Sequence, residues 1–112
     1  MEDLFVCYAG VIRSKIGRDI ARRIAQEKGL KDYIAHNISI RELCNFIQGG
    51  LKHDRYSRIF VMEESFKKLL IGYGVSQEKV INLNVTGELE RTRESVTQEL
   101  EQKLTPYFQD IS

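Results

Sequence analysis

The chain has 112 residues, 42% of them hydrophobic and 29% charged, which suits a single globular domain over residues 1–112 with one core. Seventeen basic and sixteen acidic side chains leave a formal net charge of +1, so no basic field for nucleic acid or a membrane surface is expected. No apolar run approaches the ~20 residues that span a bilayer, and acidic residues follow Met1 where a secretory signal would be basic. We therefore expect a cytoplasmic protein without nucleic-acid or membrane partners.

Apolar runs of strand length alternate with segments of helical period, a pattern typical of a parallel sheet covered by helices. The first strand is predicted at Leu4 to Val6, and the first helix runs from Ser14 to a stop at Gly29. A weak second strand at Tyr33 to Ala35 precedes a helix that starts with Ser39 as its N-cap and ends at Gly49-Gly50.

The second half of the chain repeats this order. The run Ile59 to Met62 has the continuous apolar character of a central parallel strand, and Gly74 ends the helix that follows it. Val80 to Leu83 forms the fourth strand, and a last helix ends close to Pro106. The apolar faces of the last two helices are predicted to be formed by Phe66, Leu69, Leu70 and Tyr73, and by Val96, Leu100, Leu104 and Tyr107.

The loop between the first strand and the first helix carries the chemistry. Five residues separate Cys7 from Arg13, Ser14 follows, and Gly10 lies inside the loop. Open α/β sheets bind ligands at the carboxyl ends of their strands, and a helix N-terminus favours an anion or a thiolate. The planar Arg13 guanidinium matches two phosphoryl oxygens, and the Ser14 hydroxyl can donate to the sulfur. The pattern predicts a phosphate site with a nucleophilic cysteine.

A plainer interpretation remains open at this point, because a free cysteine at a strand end is most often a small buried apolar residue. The other cysteine, Cys44, shares a predicted helical face with Ile40, Leu43 and Ile47, so we expect it in the core. Two cysteines are too few for a disulfide framework, and no Cys or His pair has metal-ligand spacing. We expect no metal and no cofactor.

The sequence also resembles a family. Three segments are similar to low-molecular-weight protein tyrosine phosphatases, in particular to a branch of small predicted phosphatases. They are Phe5-Val6-Cys7 followed by Arg13-Ser14, the segment Arg58 to Glu63, and the segment from Val80 to Phe108. The resemblance implies a three-layer α/β sandwich with a four-stranded parallel sheet in the order 2-1-3-4. It also implies that Cys7 attacks phosphorus and that Ser14 stabilises its thiolate. The phosphate-binding residues would be Tyr8, Ala9, Gly10, Val11, Ile12 and Arg13.

Two positions depart from the family pattern. Gly10 stands where the loop usually has asparagine, and Gly87 stands where the family carries its aspartate general acid. Glu88 is adjacent and is the candidate replacement, although neighbouring side chains on an extended backbone point in opposite directions. General acid catalysis is typically worth ~10² to 10⁴ in rate, so its loss would leave a slow enzyme or a protein that only binds phosphate.

The expected ligands are phosphomonoesters, including phosphotyrosine, other aryl phosphates or a phosphoprotein, together with inorganic phosphate. Cys7-Tyr8-Ala9-Gly10 is also similar to the loop of the IIB components of sugar phosphotransferase systems, which carry a phosphoryl group on cysteine without hydrolysing it. Arg13, which those loops do not require, favours the phosphatase. Arsenate reduction is a third alternative, but Cys44 is the only further cysteine for it.

Three other residues lie where they can border such a site. Glu63 and Glu64 follow the third strand at its carboxyl end, and they are equally suited to the first turn of the next helix. Tyr8 lies inside the loop, where an aromatic ring can form the wall of a cleft for a phosphorylated ring.

Overall fold

The computed structural model describes residues 1–8, 12–48, 55–86 and 91–109. Strands and α-helices alternate along these ranges as β1 (Glu2–Cys7), α1 (Ile12–Glu27), β2 (Ile34–Ser39), α2 (Ile40–Gln48), β3 (Arg58–Val61), α3 (Glu64–Gly72), β4 (Val80–Asn82) and α4 (Arg93–Leu104). Short 3-10 helices, Gln77–Lys79 and Thr105–Phe108, precede β4 and follow α4. Within the described ranges, no helix has the length and apolar character needed to cross a membrane.

The strands form one parallel sheet in the order β2-β1-β3-β4, which confirms the predicted topology. In the centre of the sheet, Leu4 of β1 pairs with Ile59 of β3, and Ile59 pairs in turn with Val80 of β4. All strands run in the same direction, so their carboxyl ends lie along one edge.

Successive side chains of β1 enter different layers because strand side chains alternate between the two faces of a sheet. Leu4 and Val6 pack with residues of α2 and α3, whereas Phe5 and Cys7 pack with residues of α1 and α4. Both clusters are buried, so the sheet is covered on both faces. The three-layer α/β architecture is therefore confirmed, and Cys7 belongs to the α1 and α4 side.

The second strand is longer than predicted and extends from Ile34 to Ser39. Within the described ranges it is an edge strand whose pairing partner is β1 alone. Its residues include the half-buried polar side chains His36 and Asn37, which obscure the apolar pattern of a strand. The predicted cap of the next helix is confirmed: the Glu42 N–H donates to Ser39 Oγ at 3.1 Å.

Two residues assigned to buried helical faces are partly exposed. Leu69 is 44% exposed because the residues of α3 that face the sheet are Phe66 and Leu70, one turn apart. Tyr107 lies in the 3-10 helix after α4, where the tighter winding buries Phe108 instead.

Two glycines fix how α1 is placed against the sheet. A Cβ at Gly17 would lie 2.9 Å from Cδ1 of Phe5, so glycine allows the helix to approach β1 closely. Gly29 has a φ of 72°, a left-handed conformation that terminates the helix as predicted. The close approach keeps the first turn of α1 beside the end of β1.

Candidate active site

The candidate site lies at the carboxyl ends of three neighbouring strands. Cys7 is the last residue of β1, Glu63 is the second residue after β3, and Val85 is the third residue after β4. The Val85 N–H donates to the Met62 carbonyl at 3.0 Å, so the segment after β4 continues beside the end of β3. This is the edge at which parallel α/β sheets bind ligands.

Cys7 and Ser14 contact each other in the buried part of the site. The Cys7 thiol donates to Ser14 Oγ at 3.1 Å, and the two residues are 2% and 0% exposed. Ser14 belongs to the first turn of α1, which places its hydroxyl at the helix N-terminus, where the helix dipole favours negative charge. The sulfur and the hydroxyl are thus in hydrogen-bond contact with the thiol as the donor, and donation from Ser14 to a Cys7 thiolate stays a prediction.

Arg13 contacts the residues that follow two of these strands, β3 and β4. Its side chain leaves the first turn of α1, donates from Nη1 to the Val85 carbonyl at 2.6 Å, and donates from Nη2 to Oε2 of Glu63 at 3.2 Å. The Arg13 side chain is only 11% exposed, whereas that of Glu63 is 45% exposed. A guanidinium has more N–H donors than these two contacts use, so it can keep both and still bind an anion.

The exposed rim of the site is apolar. Tyr8 is 66% exposed, and its ring stacks on that of Phe66 with a centroid distance of 6.5 Å and an interplanar angle of 8°. Ile12, the first residue of α1, is also exposed. The parallel rings of Tyr8 and Phe66 form an aromatic wall next to Cys7.

Several predicted site residues lie outside the described residues. These are Ala9, Gly10 and Val11 of the phosphate-binding loop, and Gly87 and Glu88 at the predicted position of the general acid. The described residues therefore bring together Cys7, Arg13 and Ser14 from the predicted set and add Glu63 to them.

One participant in the site has no counterpart among the predicted residues. The Val85 carbonyl, which accepts from Arg13, is a backbone group of a buried residue. Its role depends on where the chain runs after β4, so no residue-type pattern marks it. One sequence signal shows that residues 83–86 stay against the sheet. Apolar Leu83 and Val85 alternate there with exposed Asn84 and Thr86.

Cys44 belongs to the opposite layer of the fold. It is buried with Leu43 and Leu70 on the face covered by α2 and α3, which confirms its predicted place in the core. Burial raises the pKa of the Cys44 thiol above its ordinary value. Cys44 is therefore a poor nucleophile, and Cys7 is the cysteine that faces the site.

Comparison with solved structures identifies the fold. A low-molecular-weight phosphotyrosine phosphatase from Vibrio cholerae superimposes with a TM-score of 0.70 at 13% identity, covering 98% of this chain and 97% of that one. A protein tyrosine phosphatase from Entamoeba histolytica gives 0.67 at 15% identity, with 92% and 91% covered. The arginine phosphatase YwlE of Bacillus subtilis, in a cysteine-to-serine variant with a phosphorylated active-site serine, gives 0.67 at 16% identity, with 99% and 97% covered.

No protein-family model matches the sequence, and no curated protein matches it at the level of sequence. The likeness is therefore one of three-dimensional structure, and it extends over nearly the whole of both chains. The described strand order, the helices on both faces of the sheet and these superpositions agree. The chain has the fold of the low-molecular-weight protein tyrosine phosphatases.

Proposed function

We propose that this protein is a cysteine-dependent phosphatase that hydrolyses phosphomonoesters, with phosphotyrosine and other aryl phosphates as its substrate class. The observation that carries the proposal is the contact of Cys7 with Ser14, the residue that follows Arg13 in the first turn of α1, at the carboxyl end of β1 in a phosphatase fold. A nucleophile, a hydroxyl that can stabilise its charge and a planar cation are the groups that phosphoryl transfer needs.

In the first step, the Cys7 thiolate attacks phosphorus while the bond between phosphorus and the ester oxygen breaks. Ser14 donates its hydroxyl to the sulfur and so stabilises the thiolate before attack. Arg13 binds two equatorial oxygens, together with the backbone N–H groups of residues 8–12. The products of this step are a phosphocysteine and the leaving alcohol or phenol.

In the second step, water attacks the phosphocysteine and releases inorganic phosphate, which regenerates the Cys7 thiolate. An acid that protonates the leaving oxygen in the first step acts as the base toward water in the second. We assign this role to Glu88, the residue next to Gly87. Because Glu88 is displaced by one residue from the family position, both steps are slower than with a well-placed acid.

Glu63 and the Val85 carbonyl hold the phosphate-binding arginine. Their contacts with Nη2 and Nη1 fix the plane of the Arg13 guanidinium before a ligand arrives, which lowers the entropic cost of forming two parallel hydrogen bonds to phosphate. Glu63 therefore orients Arg13 and takes no part in proton transfer in this mechanism.

The rim favours an aromatic substrate. The solved structures of this fold include protein tyrosine phosphatases and an arginine phosphatase, so the scaffold serves more than one phosphorylated group. In this chain, the exposed face of Tyr8, supported from behind by Phe66, can stack on a phosphorylated ring. This is our reason for proposing aryl phosphates.

The first test of the proposed function is the dependence of rate on the leaving group. We expect kcat for p-nitrophenyl phosphate to exceed kcat for phosphotyrosine by about 10²-fold, because p-nitrophenolate leaves without the protonation that general acid catalysis supplies. Steady-state phosphate release from both substrates measures this ratio. Preference for phosphotyrosine, with a rate that depends on a protonated acid, would refute the weak-acid part of the proposal.

The second test addresses Glu88. Glu88→Gln is expected to lower kcat for phosphotyrosine about 10-fold to 10²-fold and to change the first step with p-nitrophenyl phosphate little, since only the poorer leaving group needs the proton. The matched control is Glu94→Gln, which neutralises an exposed glutamate in the first turn of α4. Equal kcat values on phosphotyrosine for both variants would show that Glu88 is not the acid.

A further inference from the structure

The segment after β4 is held on both sides of Val85 by two cations. Lys103 Nζ donates to the Asn84 carbonyl at 2.8 Å, and Arg91 Nη1 donates to the Thr86 carbonyl at 3.3 Å. The carbonyl between them, that of Val85, accepts the hydrogen bond from Arg13. Three successive carbonyls in this segment therefore each accept from a cationic side chain.

Glu99 on α4 organises both cations. Its Oε1 lies 2.7 Å from Arg91 Nη1, and its Oε2 accepts from Lys103 Nζ at 2.7 Å. Each carboxylate oxygen thus binds one of the two side chains, Arg91 or Lys103, that donate to the backbone of residues 84–86. Arg91 is fixed further by its hydrogen bonds from Nη2 to the carbonyl and hydroxyl of Ser95 at the start of α4.

From these contacts we infer that Glu99 is a positioning residue for the phosphate-binding Arg13, acting through Lys103, Arg91 and the backbone of Asn84 to Thr86. This inference rests on the proposed function in that Arg13 is taken to bind the phosphoryl group. Glu99 itself touches neither Cys7 nor Arg13 in the described contacts; it determines where the Val85 carbonyl lies, and that carbonyl determines the orientation of the guanidinium.

The protonation state of Glu99 agrees with this role. The hydrogen bond from Lys103, assisted by the one from Arg91 and opposed by partial burial, holds the pKa of the Glu99 carboxyl below its ordinary value. The carboxylate is therefore charged at neutral pH, and the contacts of both cations persist there. A carboxyl whose pKa is lowered by folding stabilises the folded state, and this stabilisation is lost as the pH falls through the lowered pKa.

An ordinary surface ion pair would not have this effect, and α4 provides one for comparison. Glu101, two residues further along the helix, forms an ion pair with Arg23 of α1. That pair links two helices, and none of the hydrogen bonds and ion pairs described for its two residues reaches residues 83–86. Glu101→Gln therefore removes the same charge from the same helix and leaves the Asn84 to Thr86 backbone unaffected, so it is the matched control.

The test compares Glu99→Gln with Glu101→Gln by amide hydrogen exchange. In Glu99→Gln, the Val85 amide is expected to exchange about 10-fold faster than in Glu101→Gln, because local opening of the segment becomes easier. The Phe60 amide in central β3 serves as the internal reference and is expected to exchange at the same rate in both variants. Lys103→Met, which removes the donor to the Asn84 carbonyl, is expected to reproduce the change at Val85.

Kinetics provide the second readout. Glu99→Gln is expected to lower kcat/KM for p-nitrophenyl phosphate about 10-fold through a misplaced Arg13, and this loss should disappear in an Arg13→Lys background. Unchanged Val85 exchange in both Glu99→Gln and Lys103→Met would overturn the inference, whatever the activity. If Val85 exchanges faster in Glu99→Gln and Lys103→Met but the wild-type protein hydrolyses no phosphoester, the inference that Glu99 positions Arg13 stands. The proposed function is then refuted instead.

Discussion

Cys7→Ser is expected to lower kcat for p-nitrophenyl phosphate by about 10⁴-fold or more, the scale seen when the nucleophile of a covalent mechanism is lost. A serine hydroxyl is not ionised at neutral pH, even beside a helix N-terminus and the Ser14 hydroxyl. The variant therefore has no charged nucleophile in place of the sulfur. The substitution keeps nearly the same volume at a buried position, and an O–H can still donate to Ser14 Oγ. Steady-state phosphate release, with circular dichroism to confirm folding, measures the effect.

The matched control is Cys44→Ser. It makes the same chemical change at the chain's other cysteine, which is buried in the layer on the opposite face of the sheet from Cys7. A hydroxyl in that apolar cluster is expected to lower stability, while the folded protein keeps its kcat. Substantial turnover by Cys7→Ser, or an equal loss in both variants, would contradict the assignment of Cys7 as nucleophile.

Asp3→Asn is expected to lower the free energy of unfolding by about 3–5 kcal/mol, because removing one partner of a buried ion pair leaves the other charge uncompensated. Asp3 in β1 is 0% exposed and pairs across the sheet with Arg58 of β3. Its Oδ1 accepts from Arg58 Nε at 2.9 Å, its Oδ2 accepts from Nη2 at 2.7 Å, and the Tyr33 hydroxyl donates to Oδ2 at 2.6 Å.

Further contacts hold the Arg58 guanidinium in place beside Asp3. The guanidinium lies about 5.1 Å from the ring centroid of Phe60 and 5.0 Å from that of Phe108, and it donates to the Tyr107 carbonyl at 2.8 Å. Burial and the Asp3 charge raise the pKa of Tyr33 far above its ordinary value, so Tyr33 remains a neutral donor to the carboxylate.

Urea unfolding of Asp3→Asn beside Asp19→Asn measures this effect. Asp19 forms an exposed ion pair with Arg18, and its neutralisation is expected to cost less than about 1 kcal/mol. Asp3 lies toward the amino end of β1, away from Cys7, so the remaining folded Asp3→Asn protein should hydrolyse p-nitrophenyl phosphate at the wild-type kcat. Equal stability losses for the two variants would mean that the buried pair contributes no more than a surface pair.

The architecture could be predicted from the sequence because its central elements have strong patterns. The continuous apolar run of β3 and the periodic apolar residues of α1 leave little alternative to buried parallel strands with helical crossovers. The edge strand β2 was placed too short because His36 and Asn37 interrupt its apolar character. The prediction that Leu69 and Tyr107 are buried is wrong. The spacing of apolar residues predicts the buried face of a helix, but it does not predict how wide that face is or where an α-helix gives way to a 3-10 helix.

The sequence points to candidate residues of the site only where the spacing itself carries chemistry. Cys7, Arg13 and Ser14 stand out since a thiol, a fork of donors and a hydroxyl at the start of a helix serve one reaction. The Val85 carbonyl and Glu99 leave no such signal: one is a backbone group, and the other looks like any charged residue on an exposed helix until the tertiary structure brings Lys103 and Arg91 to it.

Identification of the phosphorylated residue during turnover tests the central claim most directly. Wild-type protein is quenched in acid while it hydrolyses p-nitrophenyl phosphate, and the phosphoryl group is located by mass spectrometry of its peptides. The mechanism predicts that phosphocysteine accumulates at Cys7 during turnover and disappears once the substrate is exhausted. It accumulates because p-nitrophenyl phosphate forms the phosphocysteine without help from an acid, whereas hydrolysis of the phosphocysteine needs the poorly placed base. A phosphoryl group on any other residue, or one that persists on Cys7 until a separate acceptor is added, would contradict a phosphatase that works through Cys7.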